Sequence, residues 1–83
     1  GERIEDLREI GIMLQGVDDV PLQQLGEKIV EFIDTKTYQS YTNFRNSVRE
    51  IKFDRNTPIE IKEYLNSFDN MDFWDKCRAL TER

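Results

Sequence analysis

Histidine is absent from the 83 residues, and cysteine occurs once. The first absence removes the side chain that most often serves as general base, proton shuttle or zinc ligand near neutral pH. The second leaves Cys77 unable to form an internal disulfide or a two-cysteine metal or redox site, so nothing calls for an oxidising compartment and a cytoplasmic setting is expected. Glycine is sparse and scattered: Gly1, Gly11, Gly16 and Gly26 do not cluster as a phosphate-cradling loop requires. Long apolar runs are missing too. The longest, Ile12-Met13-Leu14, is far too short for a membrane span or a signal sequence. Basic charge falls short of acidic, 12 Lys and Arg against 17 Asp and Glu, and the net charge of -5 disfavours nucleic acid as a partner of the whole domain.

What remains is enough for a fold. Hydrophobic residues make up 37% of the chain, with five Phe, three Tyr and one Trp, so the signature of disorder is missing. A chain of this size supports one domain with one modest core, burying roughly 60% of the surface of the unfolded chain. It opens on Gly1 rather than Met, and the expectation is a single domain excised from a longer protein.

The apolar positions recur at helical spacing. Ile4, Leu7, Gly11 and Leu14 predict a helix over 3–15, and Gly16 to Asp19 reads as a stop and a turn. Pro21 sits where the first turn of a helix tolerates proline, and Leu22, Leu25, Ile29, Phe32 and Ile33 carry a second helix to about residue 34. Cap candidates from Asp34 to Thr37 precede Tyr38, Tyr41, Phe44, Val48 and Ile51, a third helix over 37–51. Thr57-Pro58-Ile59-Glu60 combines a capping box with proline at the first helical position, predicting a fourth helix with Ile61, Tyr64, Leu65 and Phe68 inward. Asp69 and Asn70 cap a last helix carrying Phe73, Trp74, Cys77 and Leu80. The fold class is therefore all-α: a compact bundle of about five short helices joined by tight turns. Gly11 and Gly26 fall on the apolar sides of their helices, where each costs ~1 kcal/mol relative to alanine, which implies a close approach of the first two helices.

No enzymatic template is met, and neither catalytic residues nor a cofactor or metal site is expected. A calcium loop starting at Asp69 would place Trp74 at its glycine position and Leu80 at its glutamate position. Acidic pairs such as Asp72 and Asp75 read as solvated faces. Cys77 lies on the apolar stripe with no histidine to ionise it, the pattern of a core cysteine, and Trp74 reads as a packing residue.

Charge is distributed unevenly. Residues 1–35 carry 3 basic and 9 acidic groups, residues 36–55 carry 5 and 2, and residues 56–83 carry 4 and 6. Glu27, Glu31 and Asp34 stand at i, i+4, i+7 on the second helix, and Arg45, Arg49 and Lys52 repeat that spacing on the third, with Arg55 beyond. Such stripes are solvated faces, or bridge each other across neighbouring helices, or steer and register a protein partner, including a second copy of the chain head to tail. The leading expectation is a non-catalytic protein–protein interaction domain, an adaptor or assembly module, with Arg45, Arg49, Lys52 and Arg55 as its basic face and Glu27, Glu31 and Asp34 as its acidic face. Its general plan is similar to that of the death-fold and SAM-type adaptor domains, without a residue motif of either. One alternative is a small acidic, immunity-like inhibitor that covers a basic site with Asp18, Asp19 and the acidic stripe. Another is a nucleic-acid-binding domain using residues 36–55, where Tyr38 and Tyr41 accompany the arginines.

Overall fold

The Gly16–Asp19 turn separates two helices that return antiparallel on one another. The computed structural model describes residues 4–51, 59, 63, 68 and 71–82. Its helices are α1 (Ile4–Gln15), α2 (Val20–Thr35), α3 (Tyr38–Glu50) and α4 (Met71–Leu80), and no strand occurs among the described residues. The all-α class holds, with four helices described where five were expected. The expected helix from Thr57, with its Thr57–Glu60 capping box, lies outside the described residues, although Ile59 and Glu63 within it are helical. The radius of gyration, 12.0 Å, matches the ~12 Å of a compact chain of this length.

Local chemistry sets each boundary. Asp19 is the extended N-cap of α2, its carboxylate accepting from Leu22 N at 3.4 Å, with Pro21 in the first turn. Gln23 reaches back to donate to the Val17 carbonyl at 2.7 Å and ties down the preceding turn. At its far end α2 stops on Lys36, the one non-glycine residue with positive φ among those described (φ 52, ψ 37), whose N–H bonds to the Phe32 carbonyl at 2.7 Å. Left-handed backbone of this kind is ordinarily given to glycine or asparagine. Thr37 then caps α3: its Oγ1 accepts from Ser40 N, and Ser40 Oγ accepts from Thr37 N, both at 3.1 Å. Serine thus stands where a capping box usually holds glutamate or glutamine. Ser40 is buried, and its hydroxyl lies 2.9 Å from Thr35 Oγ1, joining the end of α2 to the start of α3.

The close approach expected at Gly11 and Gly26 is present. A Cβ on Gly11 would sit 2.9 Å from a methyl of Ile29 and of Val30, and one on Gly26 would overlap the Gly11 carbonyl oxygen. Arg8 of α1 pairs with Asp34 of α2 at 3.1 Å, which with the glycine contact fixes the antiparallel register. Leu7, Leu14, Leu22, Leu25, Ile29 and Phe32 form the core of this hairpin, and Tyr41, Phe44, Phe68 and Cys77 extend it toward α4. Phe44 is the aromatic centre, its ring 5.9 Å from Phe32, 5.6 Å from Phe68 and 5.0 Å from Trp74. Well-oriented pairs of this kind contribute ~0.5–1.5 kcal/mol each beyond the area they bury.

Candidate interaction groove

Residues three and four apart share one face of a helix, so α3 presents Arg45, Val48 and Arg49 together. Opposite them α4 presents Met71 and Trp74, and with buried Phe68 these six residues line an open groove of about 400 Å³. The Trp74 ring is held from two sides. Its indole N–H donates to the Phe68 carbonyl, and the ring packs on Phe44. Met71 is 79% exposed, an apolar side chain standing in water at the rim.

The two arginines are not equivalent. The Arg45 guanidinium lies 5.7 Å from the centroid of the Trp74 ring, and its Nη1 donates to Tyr41 Oη at 3.2 Å. Arg45 is therefore half-buried as a wall of the groove, whereas the stripe pattern had placed it on an exposed face. Cation–π contact of this type is worth ~0.5–2 kcal/mol, rising as water is excluded. Arg49 is exposed and has no partner among the described residues. Lys52 and Arg55 lie outside the described residues.

On the acidic stripe, Asp34 is engaged by Arg8, an exposed pair worth ~0–1 kcal/mol. Glu27 and Glu31 are exposed and unpaired among the described residues. The acidic and basic stripes thus do not bridge each other within the described part of the chain. Asp19 is occupied in capping α2, which leaves Asp18 as the exposed acid of that turn. Ile12, 50% exposed, lies one turn beyond Arg8 on α1 and continues the row that runs antiparallel to Asp34, Glu31 and Glu27.

A smaller cleft of about 190 Å³ separates Pro21, Gln24 and Leu25 from Ser47, Glu50 and Ile51, with Glu50 the one ionisable side chain among the described residues that line it. Cys77 is fully buried, and burial pushes its thiol up to about 12, so at neutral pH it is protonated and inert as a nucleophile. Tyr41 is buried at 4%, as its place in the α3 apolar stripe implied, and Tyr38 is 64% exposed.

Sequence spacing missed the groove's α4 wall, because Met71 and Trp74 meet the α3 arginines only through the tertiary fold. The one available signal was Tyr41 four residues before Arg45, which foretells a contact between them but not the tryptophan above. No family model matches the chain, and neither a curated protein nor a solved structure does.

Proposed function

We propose that this chain is a non-catalytic protein–protein interaction domain, an adaptor or assembly module, whose α3/α4 groove takes an acidic, amphipathic segment of a protein partner. The observation that supports it is the groove itself: an exposed Arg49 with no partner among the described residues and an Arg45 braced over Trp74, beside exposed Met71 and half-buried Val48. Anchors of this composition, an aromatic ring and arginines around an apolar floor, are those that concentrate binding energy at interfaces. The surrounding charge governs encounter rate and discrimination more than affinity. The proposal invokes no cofactor, and the lone buried cysteine suits a cytoplasmic setting.

The alternatives have less behind them. An acidic inhibitor would present Glu27, Glu31 and Asp18, since Arg8 neutralises Asp34 and α2 uses Asp19. A nucleic-acid site would need stacking platforms beside its cations, and although Tyr38 is exposed, Tyr41 is buried and Arg45 is engaged.

The test uses the single tryptophan of the chain as its reporter. Selection from a random-peptide display library should enrich sequences with Asp or Glu flanking Leu, Ile or Phe, and titration of those peptides should change Trp74 emission. Arg49→Glu should abolish both. No enrichment, or enrichment indifferent to Arg49→Glu, removes the reading.

A further inference from the structure

We infer that the acidic, amphipathic segment is supplied by a second copy of this chain, so that copies assemble head to tail with the acidic α1–α2 face of one on the α3/α4 groove of the next. This rests on the interaction reading above and names its partner. The two faces are built alike with opposite sign. One carries Glu27 and Glu31 beside Ile12, 50% exposed; the other carries Arg49 beside Met71, 79% exposed. Glu27, Glu31 and Arg49 are without partners among the described residues.

Among the described residues, the core stands between the two faces. On α2, Phe32 points to Phe44, and Phe44 to Trp74 under the groove, at ring separations of 5.9 and 5.0 Å. Glu27 and Glu31 stand roughly 100–140° around α2 from Phe32, at 3.6 residues per turn. The acidic face and the groove therefore look in divergent directions, across an aromatic layer.

That divergence decides the symmetry. In a closed two-fold dimer built from this contact, each copy would offer both faces to its partner at once, which requires them on one side. Faces directed apart give a heterologous contact that leaves one acidic face and one groove open at the ends, and growth continues. Because the contact is carried by exposed charges, its association depends on salt.

The experiment is light scattering after size exclusion, from micromolar to millimolar protein, at about one-third and about three times physiological ionic strength. At low salt the mass should rise beyond two chains with concentration, and at high salt it should return to 9.9 kDa. Glu31→Arg and Arg49→Glu change exposed residues and should each hold the protein monomeric with unchanged helical circular dichroism. Mixed in equal amounts they should give a mass near two chains and no more, because one sound face remains on each. Constant mass of the unaltered chain overturns the inference, as does continued growth of either variant or failure of the mixture to pair. If mass stays constant while peptide selection still depends on Arg49, self-assembly falls and the interaction reading stands; if both fail, both fall.

Discussion

Gly26→Ala sets two rules against each other with opposite signs. Helix propensity alone favours the alanine by ~1 kcal/mol. The α1–α2 contact opposes it, because the new methyl would overlap the Gly11 carbonyl oxygen and stand 3.0 Å from the Leu14 Cβ and 3.1 Å from the Gln15 Cγ. The first two obstacles are backbone and Cβ, which no rotamer change removes, so α1 must move away from α2. A gap of 0.5–1 Å forfeits roughly a quarter to a half of each contact across it, and overpacking of this kind costs about 1–3 kcal/mol. Backbone obstruction puts Gly26 at the upper end. Subtracting the propensity gain leaves a net loss of about 2 kcal/mol, which for a chain of this size lowers the melting temperature by about 10 °C. Thermal circular dichroism at low protein concentration and high salt reads it without interference from association. Gly16→Ala is the control: its Cβ would meet only the Met13 carbonyl, at 3.4 Å, with no positive φ, so melting should stay level or rise. Gly11→Ala should also destabilise, and the double variant should lose less than the two losses added, since one separation of the helices accommodates both methyls. A melting temperature for Gly26→Ala equal to or above that of the unaltered chain would refute the close-packing argument.

Lys36→Gly should raise the melting temperature by a few degrees. It relieves left-handed strain of ~1–2 kcal/mol while giving back ~0.5–1 kcal/mol through the freedom of the unfolded chain; a fall would show that the Lys36 side chain stabilises the α2–α3 turn. For Cys77, the folded state holds the proton up to about 12 whereas the unfolded state releases it near ~8.5. Its contribution is intact below that lower value and declines as pH rises above it, with a slope approaching ~1.4 kcal/mol per pH unit. Urea titrations at pH 8 and 9.5 should therefore show Cys77→Ala losing less stability between the two than the unaltered chain, and parallel losses would contradict the assignment.

The helices were legible because every described one keeps a single apolar stripe, and the glycine contact was legible because glycine on an apolar helix side is costly without a reason. The α2–α3 junction was less so. Thr37 was among the cap candidates, but Ser40 lies outside the usual capping-box pattern and Lys36 carries none of the marks of a left-handed stop. Spacing along one helix groups residues by face, so it set Arg45 beside Arg49 and could not separate their fates. The separation comes from Trp74, on a helix that the chain reaches only after many intervening residues.

The glycine contact also bears on how the chain finds its fold. Gly11 and Gly26 join helices linked by a short turn, and α3 adds to α2 across another, so much of the core closes through small loops. Local contacts of this kind favour fast folding. The hairpin of α1 and α2 can collapse on its own leucines before α4 arrives, and Phe44 waits on α3 for Phe68 and Trp74 to cover it. The aromatic layer therefore depends on contacts of Phe44 that are distant in sequence, those with Phe68 and Trp74.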